Sequence, residues 1–119
     1  MAAFALVITA ILFSVTGELF LKSGMNEVGT FSLSNFLPTM ARILSTWRIW
    51  VGFAFFGVGA VFWLAAISRV NLSWAYPMLS LGYLLVLLFS AIVLKEHVSA
   101  VRWFGAVVIV AGIILVFRS

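Results

Sequence analysis

One acidic residue of this sequence stands inside an apolar stretch long enough to be a membrane helix. Glu18 has Ser14 four residues before it and Lys22 four residues after it, so that the three share one helical face. Ionised groups inside a membrane helix are costly, and they usually face the bundle interior at substrate or ion sites. We therefore predict that Glu18 and Lys22 bind substrate, with Glu18 also the candidate for proton coupling. The alternative is an ion pair at the membrane surface, with Lys22 reaching the headgroups.

A second row of polar side chains follows one face of a later apolar segment. Its hydroxyls recur at steps of three, four, three and seven residues, at Ser73, Tyr76, Ser80, Tyr83 and Ser90. A lipid-facing helix has no reason to collect hydroxyls, so we predict that Tyr76, Ser80 and Tyr83 bind substrate opposite Glu18. Hydrogen bonding between helices is the alternative. Pro77 removes one backbone hydrogen bond from this segment and predicts a kink beside Tyr76.

Composition excludes most enzymatic chemistry. The 119 residues are 66% hydrophobic and 8% charged, whereas a soluble domain has roughly 45–50% apolar and about 25% charged residues. The chain has no cysteine and no aspartate, and His97 is its single histidine. We predict no catalytic residues, no metal site and no cofactor. Glu96 and His97 are expected in a solvated turn.

The sequence predicts an all-α integral membrane protein with four transmembrane helices, forming a single domain over residues 1–119. Each helix needs about 20 mostly apolar residues, and the predicted stretches are 2–23, 49–68, 70–94 and 99–117. The first stretch has no basic residue before its apolar core, so we interpret it as a retained helix rather than a signal peptide. Residues 35–47 form a candidate interfacial helix, or else a loop that packs on the bundle.

Small and aromatic residues indicate how these helices pack. Gly52 and Gly59 recur on one side of the second helix and permit close approach of a neighbour. Trp63 continues that side and is predicted to face the substrate. Gly105 and Gly112 share a face of the last helix and predict a contact, either within the chain or with a partner.

Basic residues give the orientation and the polar partners of the chain. The net charge is +4, and the basic residues lie between apolar runs, so membrane lipids rather than nucleic acid are the expected partners. The positive-inside rule places the first and third connections in the cytoplasm. These connections and the adjoining helix ends carry Lys22, Arg42, Arg48, Lys95 and Arg102. We predict that Arg42 and Arg48 assist Lys22 in binding substrate.

Four segments resemble a known transporter family. They are Gly17–Lys22 (GELFLK), Ala75–Leu81 (AYPMLSL), Lys95–Ser99 (KEHVS) and Trp103–Gly105 (WFG). With four helices and an acid in the first, the chain resembles the small multidrug resistance and EamA-like proteins of the drug/metabolite transporter superfamily. Within that superfamily it is most similar to the bacterial aminoarabinose–undecaprenyl-phosphate flippase subunits.

The resemblance implies a small-multidrug-resistance-like bundle in the bacterial inner membrane, crossing it several times. It implies a flippase that moves a polyprenyl-phosphate-linked sugar towards the outer leaflet, for modification of lipid A or an envelope glycan. It also implies a dimer, either a homodimer or a heterodimer with a related subunit. A proton-coupled exporter of organic cations is the alternative function, and a non-transporting membrane subunit is a third.

Overall fold

The computed structural model describes residues 2–119, and most of that range is helical. The helices are α1 (Ala2–Val28), α2 (Phe36–Ser45), α3 (Trp47–Ile67), α4 (Leu72–Met78), α5 (Ser80–Ile92) and α6 (Ala100–Arg118). Within the described range, four helical stretches are long and apolar enough to cross a membrane, with α4 and α5 together forming one of them. The prediction of an all-α membrane bundle with four transmembrane helices is confirmed.

Helix α1 continues five residues beyond its predicted end at residue 23. The guanidinium of Arg48 stabilises these additional residues, because it donates hydrogen bonds to Glu27 Oε1 at 2.9 Å and to Ser23 Oγ at 3.2 Å. The helix then ends at Gly29, whose φ of 103° lies in the left-handed region that glycine adopts without strain. Because this ion pair joins distant parts of the chain, hydropathy alone did not reveal the extension.

The third predicted helix is divided at Leu79. Pro77 has no amide hydrogen, so the carbonyl ladder of α4 loses a partner there. The chain compensates with tighter bonds, from the Leu79 N–H to the Tyr76 carbonyl at 3.0 Å and from the Gly82 N–H to the Leu79 carbonyl at 2.9 Å. The helix is therefore interrupted two residues after Pro77, close to the position of the predicted kink.

The amphipathic segment of the first connection forms α2, slightly shorter than the predicted 35–47. It packs against α1 and α3, with Thr39 fully buried on the packed side and Leu37 77% exposed on the other. Its contacts fit the predicted alternative of packing on the bundle, and its exposed leucine fits contact with lipid. Its depth in the membrane stays a prediction.

Glycines bring α1 and α3 together as a closely packed antiparallel pair. A Cβ built at Gly52 would lie 2.8 Å from the Gly17 carbonyl oxygen, and one built at Gly59 would lie 2.9 Å from Ser14 Oγ. Beside this seam, phenylalanine rings of the two helices stack at centroid distances of 5.7 Å for Phe13 with Phe62 and 5.9 Å for Phe20 with Phe55. This pair is the most extensive helix–helix contact of the described chain.

The other helices contribute less buried surface. Val7, Ile11 and Val15 of α1 form the core with Ala66, Met78 and Ile113. Helix α6 has only two buried residues, Ala106 and Ile113, within the described chain. A Cβ built at Gly105 or Gly112 meets no atom of the described chain within 4 Å. The predicted contact of these glycines within the chain is therefore not formed, and contact with a partner stays a prediction.

Gly52→Ala should destabilise the α1–α3 pair. The added methyl group would press on the Gly17 carbonyl and on Leu21, and overpacking of this kind costs about 1–3 kcal/mol. Gly57→Ala is the matched control on the same helix, because its Cβ would meet open space. Thermal unfolding in detergent should show a lower midpoint for Gly52→Ala than for Gly57→Ala. Equal midpoints would contradict the close packing.

Candidate functional site

A cavity of about 410 Å³ lies between α1, α3 and α5. Helix α1 supplies its base, while α3 contributes Phe56, Ala60 and Trp63 and the α5 side contributes Gly82 and Tyr83. The cavity depends on small residues, since a Cβ at Gly82 would lie 3.2 Å from Ile11 Cγ2. Glycine at position 82 thus allows α5 to approach α1 above the cavity base.

The polar groups of this cavity come from three helices. Ser14 and Glu18 of α1 face it together with Trp63 of α3 and Tyr83 of α5. These residues give one carboxylate, two hydroxyls and an indole N–H in an otherwise apolar space. Within residues 2–119, Glu18 has no basic group at ion-pairing distance. The carboxylate is therefore free to accept a hydrogen bond from a ligand's ammonium group or to take up a proton.

A second cavity of about 280 Å³ continues the first along α1 and α5. Glu18 and Val86 line both cavities, so the two adjoin as one groove, which we call the α1–α5 groove. Lys22 and Ser90 line the second cavity together with Glu96. The groove thus carries a carboxylate in one part and an ammonium group one helical turn away.

Lys22 does not pair with Glu18, as the sequence suggested, but with Glu96. The Lys22 Nζ lies 3.7 Å from Glu96 Oε2, and the side chains are 53% and 39% exposed. Glu96 and His97 are exposed, as expected for a solvated turn, but the turn after α5 also brings the Glu96 carboxylate to Lys22 of α1. This pairing joins residues far apart in the chain, and no local spacing indicates it.

Other predicted site residues lie outside the groove. Tyr76 and Ser80 line neither of its two cavities. Tyr76 lies in α4, before the break at Leu79, whereas Ser80 begins α5, the helix that also carries Tyr83. Tyr76 packs against the site residue Trp63, with the two rings edge-on and their centroids 6.2 Å apart.

The two arginines predicted to bind substrate are also elsewhere. Arg42 is exposed on α2, and Arg48 is engaged with Glu27 and Ser23. Neither lines the α1–α5 groove. Conversely, Ala60, Gly82 and Val86 line the groove. The sequence analysis did not identify them, because small and apolar residues are common in every membrane helix.

The arrangement can bind an amphipathic molecule that carries both charges. Glu18 suits an ammonium group, Lys22 suits a phosphate or carboxylate, and the apolar walls suit hydrocarbon. Glu18 and Lys22 are separated by about 6 Å along the helix axis, from a rise of 1.5 Å per residue. A ligand that contacts both needs a cationic and an anionic group on neighbouring parts of one molecule.

Comparison with known proteins is consistent with this chemistry. Residues 1–118 match the model of the EamA-like transporter family. A probable 4-amino-4-deoxy-L-arabinose-phosphoundecaprenol flippase subunit ArnE of Proteus mirabilis is 35% identical over 97% of this chain and 96% of its own length. Proteins of the same name in Pseudomonas fluorescens and Pseudomonas aeruginosa are 32% and 39% identical, each over 66% of this chain and 68% of their own length. No solved structure shows a detectable match.

These similarities and the four apolar helices also fix the location of the chain. It is a multi-pass protein of the bacterial inner membrane. The predicted resemblance to EamA-like proteins and to the flippase subunits is confirmed.

Cysteine reactivity should show that the α1–α5 groove contains water. The chain has no cysteine of its own, so Ser14→Cys introduces a single thiol in the groove. Maleimides react with the thiolate, which forms in water and not in hydrocarbon, so Ser14→Cys should react about tenfold faster than a lipid-facing thiol. Ala54→Cys is the control, because Ala54 is exposed on α3 outside the groove. Equal rates in intact membranes would contradict a hydrated groove.

Proposed function

Because this chain belongs to the EamA-like transporter family, we propose that it is a flippase subunit for a polyprenyl-phosphate-linked aminosugar. The observation that carries the proposal is the α1–α5 groove, which presents Glu18 and Lys22 one helical turn apart. The sugar would be of the aminoarabinose type, delivered to the outer leaflet for modification of lipid A or an envelope glycan. The relatives named for such a substrate support this choice.

The headgroup of such a lipid has the two charges that the groove complements. Its amino group is a cation that Glu18 can accept, and its phosphate is an anion that Lys22 can hold with charge-assisted hydrogen bonds. The two groups lie at opposite ends of one sugar ring, which suits the separation of Glu18 and Lys22 on α1. Tyr83 can hydrogen-bond the sugar hydroxyls, and Trp63 can cover the sugar face.

The polyprenyl tail needs no polar path. The groove has α1 as its base and α3 and α5 as walls, so the opposite side remains open within the described chain. We propose that the tail stays in lipid at this open side while the headgroup crosses inside the groove. Transport then requires protein contacts only for the polar part of the substrate, and no covalent bond is made or broken. This is the basis for assigning a transport role rather than an enzymatic one.

We propose that a second subunit completes the groove. The relatives are named as subunits, and a single chain leaves the groove partly open. The exposed face of α6, with open space at Gly105 and Gly112, is the predicted contact surface for the partner. The partner is a second copy of this chain or a related subunit.

Export of organic cations is a second candidate function, favoured by one observation. Glu18 has no basic partner within the described chain, and a carboxylate without a partner is what a cationic drug or a coupling proton needs. Lys22 separates the two candidates, because a cation exporter has no use for an ammonium group in the same groove. A flippase for a phosphate-linked aminosugar uses both charges.

Glu18→Gln and Lys22→Gln should each slow headgroup transport. Each variant removes one charge-assisted hydrogen bond to the substrate, worth about 1.5–3 kcal/mol, so we expect a loss of about tenfold or more. Transport of a fluorescent polyprenyl-phosphate aminosugar in inner-membrane vesicles that contain each variant measures this loss. Vesicles keep any native partner subunit in place.

Glu27→Gln is the control for this experiment, since Glu27 pairs with Arg48 outside the groove. The proposal is wrong if Glu18→Gln and Lys22→Gln both transport the lipid at the unmodified rate. A loss of quaternary ammonium transport in Glu18→Gln but not in Lys22→Gln, with no lipid transport by the unmodified chain, would establish the cation exporter.

A further inference from the structure

Residues 2–119 form two ion pairs of different geometry. Arg48 Nη1 lies 2.9 Å from Glu27 Oε1, within hydrogen-bond distance, and it also donates to Ser23. Lys22 Nζ lies 3.7 Å from Glu96 Oε2, beyond the 3.2 Å limit of an ordinary hydrogen bond. The first pair is a fixed structural contact. The second leaves the ammonium group of Lys22 with its hydrogen-bond donors free for another acceptor.

The backbone, rather than the ion pair, holds Glu96 over the groove. The Glu96 N–H donates to the Ser90 carbonyl at 2.9 Å, and Lys95 adopts a φ of 57° in the left-handed region to make the reversal. Arg102 of α6 reaches back towards the His97 carbonyl at 3.4 Å. A non-glycine residue is sterically strained in this conformation, so the surrounding contacts hold the turn and fix the position of the Glu96 carboxylate.

The carboxylate of Glu96 therefore occupies the place that a ligand anion needs. It lines the same cavity as Lys22 and Ser90, and Lys22 is the basic residue among those that line the groove in the described chain. A phosphate that binds Lys22 meets the negative charge of Glu96 at close range. Both anions cannot share one ammonium group without repulsion, so one must leave.

We propose that Glu96 is a positioning residue that holds Lys22 in the empty groove and competes with the lipid phosphate for it. This inference rests on the proposed function, since it needs the phosphate to bind at Lys22. Binding of the phosphate displaces the Glu96 carboxylate into water at the groove mouth. When the headgroup leaves, the carboxylate returns to Lys22 and competes with rebinding. Glu96 thus lowers the affinity for the phosphate and favours its release.

Competition predicts opposite effects from removing the two members of the pair. Without Glu96, Lys22 no longer has to exchange one anion for another, so the apparent affinity for the phosphate should rise. The gain should be about two- to fivefold, the range for an ion pair as exposed as this one. Without Lys22 the affinity should fall by about tenfold or more. A merely structural ion pair predicts losses from both changes.

Binding of undecaprenyl phosphate in lipid nanodiscs tests the inference. The proteins are the unmodified chain, Glu96→Gln, Lys22→Gln, the double variant, and Glu27→Gln as the control ion pair. We expect tighter binding for Glu96→Gln, weaker binding for Lys22→Gln, and no change for Glu27→Gln. The double variant should match Lys22→Gln, because Glu96 has nothing to compete for once Lys22 is gone.

The possible failures are distinguishable. Unchanged or weaker binding by Glu96→Gln, with weaker binding by Lys22→Gln, overturns the competition and leaves the proposed function intact. Unchanged binding by Lys22→Gln removes the phosphate site and the competition with it. Tighter binding by the double variant than by Lys22→Gln overturns the inference, since Glu96 would then act by a long-range field. If Glu96→Gln does not fold, Glu96→Asp carries the test, because its shorter side chain weakens the pair and predicts an intermediate gain.

Discussion

A charge inside hydrocarbon must face water, a polar group or a ligand, and Glu18 imposes this constraint on the whole molecule. Its carboxylate sits well inside the first membrane helix, so the neighbouring helices have to leave space on that face of α1. The groove between α1, α3 and α5 is the resulting space. The face of α1 around Gly17 packs so closely on α3 that no ligand fits there. Helix α1 therefore packs closely on α3 with one face and borders the groove with another.

The same constraint explains the position of Lys22 one turn further along α1. An ammonium group near the end of a membrane helix can reach water, yet here it is turned towards the second cavity and Glu96. The groove therefore changes charge along its length. A substrate with an amine and a phosphate can pair with Glu18 and Lys22 at the same time. A simple cation would pair only with Glu18, and Lys22 would stay paired with Glu96.

The sequence predicts the features that depend on local pattern. Long apolar runs identified the four membrane-spanning stretches, the four-residue spacing placed Ser14 and Glu18 on one face, and Pro77 located the interruption before Leu79. Features that depend on distant residues were not predictable in this way. The Lys22–Glu96 pair forms only because the turn after α5 folds back on α1. Tyr76, Ser80 and Tyr83 were grouped on the assumption of one continuous helix, whereas the break at Leu79 places Tyr76 in α4 and the other two in α5.

Photochemical labelling by the lipid headgroup tests the central claim most directly. A polyprenyl phosphate with a photoreactive group on its headgroup is activated in membranes that contain the chain, and the labelled peptides are identified by mass spectrometry. If the headgroup binds in the α1–α5 groove, the label should fall on residues 14–22 of α1 and on residues 82–90 of α5. Labelling confined to the exposed faces of α2 and α6 would contradict a headgroup path through the groove.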